Sequence, residues 1–162
     1  MIRAGLADAA TTEAVGAALG RATAGLPGLV VYLRGELGVG KTTLARGWLR
    51  ALGATGAIRS PTYTLVEPYE LGGRNTLHLD LYRLQDPSEL EQLGLLDTPP
   101  DDSLWLVEWP ERGGGRLPPA GLDLALRAAG KGRELALAAA PALEADLQDV
   151  LSALTTIYGS VP

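Results

Sequence analysis

Apolar and polar positions along the chain change period several times, and each change predicts an element. Thr11 and Thr12 stand where a helix cap belongs. Val15, Ala18, Leu19 and Ala22 recur at helical spacing behind them, so a helix is expected to about Ala24. Pro27-Gly28 ends it. Leu29 to Leu33 is unbroken apolar sequence, the pattern of a strand buried on both faces. A glycine-rich turn follows, then a helical pattern from Lys41 to about Leu52 with Leu44, Trp48, Leu49 and Leu52 inward, stopped by Gly53. Ser60 to Thr64 is a polar turn leading through Leu65 and Val66 into a strand. Gly72-Gly73 turns the chain, and Thr76 to Leu81 alternates as a further strand.

A short helix is expected after Pro87, with Leu90 and Leu93 inward and Gly94 as its stop. Ser103 to Val107 is a second apolar run, closed by Glu108. Gly113 to Gly115 and Pro118-Pro119 mark a loop. Leu122 to Leu126 and Leu135 to Leu137, joined across Gly130-Lys131-Gly132, predict a β-hairpin. Leu143, Leu147, Val150, Leu151 and Leu154 stripe a final helix that starts near Pro141. Strands and helices mixed in this way predict an α/β fold, one domain over residues 1–162.

Composition narrows the function classes. The chain holds no cysteine, which excludes disulfides and Cys-based zinc sites. The opening stretch carries Asp8 and Glu13 among alanines and does not read as a signal peptide. No run approaches the ~20 apolar residues of a membrane span. A cytoplasmic protein with no membrane association is expected. The net charge of -5 argues against direct grip on a nucleic-acid backbone. Of the basic residues only Lys41 and Lys131 are lysine. A chain that otherwise uses arginine has lysine where a compact ammonium must reach into a loop.

That loop is Gly35-Glu36-Leu37-Gly38-Val39-Gly40-Lys41-Thr42, which fits G-x-x-x-x-G-K-[ST] between a buried strand and a helix. Its glycines let successive N–H groups converge on one centre, and the helix adds its positive end. Gly38, Val39, Gly40, Lys41, Thr42 and Thr43 are therefore expected to bind the phosphates of a nucleoside triphosphate. Lys41 supplies charge to the β/γ-phosphates and Thr42 a hydroxyl to Mg2+.

Phosphoryl transfer needs further acids. Glu108 ends an apolar strand, where a carboxylate lies beside the phosphate loop, and is the candidate partner of Thr42 at Mg2+. Asp80, in His78-Leu79-Asp80-Leu81-Tyr82-Arg83, stands evenly between catalysis and a solvated strand end. His78, the only histidine, reads as a local hydrogen-bonding group. Without a second His or a Cys, Mg2+ is the only metal to name. Trp109 and Arg133 are candidate nucleotide contacts, with simple packing and a solvated guanidinium as the plainer alternatives.

In chain order, the phosphate loop with Thr43, Ser60-Pro61-Thr62-Tyr63-Thr64-Leu65-Val66, His78-Leu79-Asp80-Leu81-Tyr82-Arg83-Leu84 and Val107-Glu108-Trp109-Pro110-Glu111 closely resemble the TsaE (YjeE) family. That family is the small bacterial ATPase of tRNA threonylcarbamoyladenosine biosynthesis. The loop alone is generic, while the other three segments together are specific. Glu36 stands where Asp is common in the family.

The resemblance implies a P-loop NTPase-like fold, with a mostly parallel central sheet flanked by helices and antiparallel hairpin strands. It implies an ATPase using ATP and Mg2+ and acting with the TsaD and TsaB proteins as a nucleotide-driven reset, touching tRNA only through that complex. Carried over by position, Lys41, Thr42 and Thr43 bind phosphate and Mg2+, Glu108 belongs to the Mg2+ site and Asp80 is implicated in catalysis. Ser60 to Thr64 looks like a nucleotide-sensing switch, with Thr62 a nucleotide contact. A generic P-loop kinase is the rival enzyme, but no arginine-rich lid insertion lies between Asp80 and Glu108. A GTPase would carry an Asn-Lys-x-Asp type segment, which this chain lacks. A nucleotide-loaded docking module is the non-enzymatic alternative.

Overall fold

A computed structural model describes residues 1–159. The elements are β1 (Ile2–Leu6), α1 (Ala9–Thr23), β2 (Leu29–Arg34), α2 (Lys41–Ala51), β3 (Val66–Leu71), β4 (Arg74–Asp80), β5 (Leu104–Glu108), β6 (Leu122–Ala129), β7 (Gly132–Ala139) and α3 (Pro141–Tyr158). Short 3-10 turns at Pro87–Leu93, Leu95–Asp97 and Pro110–Gly113 complete it. The seven strands form one sheet in the order β1-β7-β6-β2-β5-β4-β3. The central four, β6, β2, β5 and β4, are parallel, and hairpin partners β3, β7 and then β1 extend the two edges antiparallel. This is the α/β arrangement expected from the sequence.

Strand alternation divides the core into two layers. Leu29, Val31 and Leu33 of β2 and Leu104 and Leu106 of β5 pack against α1, α2 and α3. Val30 of β2, Trp105 and Val107 of β5 and Leu77 and Leu79 of β4 face the other way, toward Leu84 and Leu90. The same period places Thr76, His78 and Asp80 of β4 on the helix face with Glu108 of β5. All four are buried polar residues in a layer otherwise built mainly from aliphatic side chains and Trp48.

Three details depart from the sequence reading. The cap of α1 is Asp8, whose carboxylate accepts from the Thr11 N–H at 2.7 Å, so Thr11 and Thr12 lie inside the helix. The inner face of α1 is Thr12, Val15, Gly16, Leu19, Gly20 and Thr23, and Ala22 is exposed. β1 had no counterpart in the expected elements. It adds to β7 at the sheet edge, with Ala4 opposite Leu135.

The small residues on α1 have a packing reason. A Cβ on Gly16 would lie 2.1 Å from the Leu44 carbonyl oxygen, and one on Gly47 would lie 2.0 Å from the Glu13 carbonyl oxygen. The backbones of α1 and α2 therefore touch, and this fixes the helix that carries the phosphate-loop residues. Gly47→Ala is expected to destabilise the fold by about 1–3 kcal/mol through forced separation of the two helices. Urea unfolding followed by circular dichroism checks this, and an unchanged midpoint would show that the helices separate at no cost.

Candidate functional site

The site forms where β2 and β5 end side by side. Leu33 pairs with Glu108, and Asp80 pairs with Glu108 from the other side. Three parallel strands thus deliver their C-terminal ends to one place, the usual position of a site in an open parallel sheet. β2 runs into the loop Gly35–Gly40, and α2 begins at Lys41. Gly35, Gly38 and Gly40 all have positive φ, at 141°, 75° and 120°, so the loop backbone takes a path that other residues resist. Gly35 also lies so close to β6 that a Cβ there would meet the Leu126 carbonyl oxygen at 2.5 Å.

Lys41 is almost fully buried, and its ammonium donates to the carbonyls of Gly35 at 2.6 Å and Glu36 at 2.8 Å. It also lies 4.4 Å from the centre of the Trp109 ring, within cation–π range. Burial holds its pKa below the usual lysine value, while Glu108 and Asp80 pull the other way. The Thr42 hydroxyl contacts both Glu108 oxygens, Oε1 at 2.9 Å and Oε2 at 3.1 Å. His78 Nε2 lies 2.8 Å from Glu108 Oε1. Asp80 accepts from the Ser60 hydroxyl through Oδ2 and from the Tyr82 N–H through Oδ1, the latter at 3.0 Å.

These groups surround an open cavity of about 210 Å3. Gly38, Gly40, Lys41, Thr42 and Thr43 line one side, and Ser60, Thr62, Asp80, Glu108 and Trp109 the other. Most of the residues named from the sequence therefore meet at one place. Two sit apart from it. Val39 turns its side chain into the core, with its N–H 3.2 Å from the Glu36 carbonyl. Arg133 runs behind the loop, its stem 3.5 Å from where a Gly40 Cβ would be, and donates to Thr12 at 3.0 Å. Ser60 and the His78 contact to Glu108 are the site features that residue-by-residue reading did not assign.

Two non-glycine residues have left-handed backbones, Leu65 with φ 66° and Trp109 with φ 56°. Bulky residues seldom adopt this conformation, which costs roughly 1–3 kcal/mol. Trp109 lines the cavity, and Leu65 is bonded to Asp80, which does so too. Leu65 closes the Ser60–Thr64 segment, its N–H on the Pro61 carbonyl at 2.8 Å and its own carbonyl on the Asp80 N–H at 3.0 Å. Trp109 is clamped between Lys41 and Tyr82, whose ring centre is 4.9 Å away.

The model of the family described as "Threonylcarbamoyl adenosine biosynthesis protein TsaE" matches residues 6–135. The chain belongs to the TsaE family. It is 54% identical over 92 residues to the tRNA threonylcarbamoyladenosine biosynthesis protein TsaE of Haemophilus influenzae, covering 57% of this chain and 58% of that one. It is 38% identical over 104 residues to the protein of the same name from Bacillus subtilis, covering 64% and 65%. These alignments span about three-fifths of the relatives' length. The crystal structure of Bacillus subtilis YdiB superposes with a TM-score of 0.74 at 26% identity, over 94% of this chain and 97% of that one. The fold of that structure thus matches the sheet and the helices together.

The geometry makes Asp80 the anchor of the Ser60–Thr64 segment. In Asp80→Ala, hydrogen exchange of the amides from Thr62 to Val66 is expected to accelerate while the amides of β2 and α2 stay protected. Unchanged exchange in that segment would show that other contacts hold it.

Proposed function

We propose that this chain binds and hydrolyses ATP with Mg2+ and serves tRNA threonylcarbamoyladenosine biosynthesis as a nucleotide-driven switch on a TsaD–TsaB complex. The observation that carries this reading is the meeting of Thr42 with Glu108 beside Lys41, at the mouth of a glycine loop that opens a helix. An anion fits there because N–H groups and an ammonium converge on it. A divalent cation fits beside it because a hydroxyl and a carboxylate oxygen share the edge of the cavity. No group of three or more His, Asp or Glu able to hold a metal occurs among the described residues. Mg2+ does not require one, since one or two protein ligands suffice when phosphate oxygens and water complete its shell.

In this reading the backbone N–H groups of Gly38 and Gly40 face the phosphates, Val39 supports the loop through its bond to the Glu36 carbonyl, and Lys41 places its charge at the β/γ end. Thr43 donates its hydroxyl near the α-phosphate, and Trp109 screens the ammonium from water. Thr42 and Glu108 hold Mg2+, which supplies positive charge against the negative charge developing on the phosphate oxygens. Asp80 completes the catalytic set, and its bond to Ser60 ties that set to the Ser60–Thr64 segment. Thr62 reaches the cavity from the same segment, so occupancy and segment position are linked. Arg133 steadies the loop from behind.

Two outcomes are expected. Lys41→Ala should weaken ATP binding by about 1.5–3 kcal/mol, roughly tenfold to a hundredfold in Kd by calorimetric titration. Glu108→Gln should lose Mg2+-dependent hydrolysis while keeping Mg2+-free ATP binding. Normal hydrolysis in Glu108→Gln with partners present would transfer the carboxylate role to Asp80.

The partner half of the reading rests on the segment's surface. Tyr63 is 85% exposed at its tip, with the Arg83 guanidinium 4.8 Å from its ring centre. Tyr63→Ala should keep ATP affinity yet lose stimulation of hydrolysis by purified TsaB and TsaD, and with it repeated tRNA modification. Full stimulation in that variant would remove the segment from the docking surface.

A further inference from the structure

His78 is the only histidine and is fully buried. It stands two residues before Asp80 on β4, on the strand face turned toward α2. In the parallel pairing of β4 with β5, Asp80 lies beside Glu108 and His78 beside Leu106. The imidazole is therefore one diagonal step below the carboxylate, a separation that a ring side chain can bridge. It does so, with Nε2 at 2.8 Å from Glu108 Oε1. The other ring nitrogen has no partner among the described residues. Among the described residues its only side-chain bond goes to Glu108.

We propose that His78 is a positioning residue that fixes the Glu108 carboxylate for cation binding. With Glu108 as a carboxylate, which only accepts, Nε2 carries the hydrogen and donates. Oε1 then faces two donors, His78 at 2.8 Å and Thr42 at 2.9 Å, whereas Oε2 has only the 3.1 Å contact to Thr42. Oε2 is the oxygen left for the cation, and the carboxylate cannot rotate without losing the His78 bond. A donor behind a metal-binding side chain, holding its orientation, is a common arrangement in metal sites. The proposal rests on the reading of Glu108 as the Mg2+ carboxylate.

The test titrates ATP into the full chain by calorimetry, in EDTA and at a series of Mg2+ concentrations. His78→Leu fills the space without a donor. It should raise the Mg2+ concentration giving half-maximal tightening of ATP binding by about tenfold, with affinity in EDTA unchanged. His78→Gln places an amide nitrogen as far out as Nε2 and should restore the native Mg2+ dependence. His78→Asn is one methylene shorter and should not. Unchanged Mg2+ dependence in His78→Leu overturns the proposal, and so does an equal loss of affinity in EDTA, which would mark a purely structural role. Should His78→Leu not fold, the Gln and Asn variants decide, and equal Mg2+ dependence in the two overturns it. Glu108→Gln separates the two readings. If it leaves Mg2+ dependence intact, the cation role of Glu108 fails and the proposal with it. If Glu108→Gln shifts the dependence and His78→Leu does not, only the positioning role fails.

Discussion

A carboxylate that is 2% exposed at the end of a central strand must have donors brought to it, because leaving it bare in the core would cost several kcal/mol. Glu108 is in that position, and its donors come from two directions. Thr42 arrives from the first turn of α2, and His78 from β4. Neither is near Glu108 in the chain. Both depend on the sheet order, which seats β5 between β2 and β4, and on strand alternation, which turns Glu108 toward the helices. The close contact of α1 with α2 through Gly16 and Gly47 then sets where Thr42 can be. The polar site is in this sense a consequence of how the helix layer packs.

A second polar link runs outward from the same strand ends. Asp80 pairs with Glu108 in the sheet but spends its own oxygens on Ser60 and Tyr82. The Ser60–Thr64 segment is held by the Ser60–Asp80 bond, by the buried Pro61 and by Leu65, which sits in a strained conformation. Local strain beside exposed residues is the property of a segment that can move without unfolding the domain core. The link is buried at Asp80, and the exposed side, with Tyr63 at its tip, faces solvent.

What the sequence shows of this depends on the range of the interaction. The unbroken runs Leu29–Leu33 and Leu104–Val107 declare buried strands by themselves, and Gly130-Lys131-Gly132 declares its hairpin. Lys41, Thr42, Glu108 and Trp109 could be named because each sits in a local pattern at an element's end, whereas Asp80 as a catalytic residue and Thr62 came through the family resemblance; all six line the cavity. β1 was not visible. Ile2-Arg3-Ala4-Gly5-Leu6 is short and weakly patterned, and only pairing with β7 makes it a strand. The inner face of α1 was misplaced at Ala22 because an apolar period does not reveal that glycine and threonine are needed where two helices touch. The bond from His78 to Glu108 was hidden for a similar reason. It depends on the β4–β5 register, which is a tertiary fact, and a lone histidine carries no local sign of its partner.

The resting contacts of Lys41 bear on what the proposed ligand has to do. Its ammonium is not waiting bare, since it already donates to the Gly35 and Glu36 carbonyls and lies against Trp109. A phosphate entering the loop competes with neutral carbonyl oxygens for the same hydrogens. The exchange favours the phosphate because its negative charge adds a Coulomb attraction for the ammonium that a neutral carbonyl lacks. Burial strengthens the preference: it holds the lysine pKa down, so a nearby negative charge stabilises the ammonium more than it would in water. Giving up the two carbonyls also frees the Gly35-Glu36 turn, which packs on β6 at Leu126. Under the proposed function Lys41 exchanges these two carbonyls for the anion.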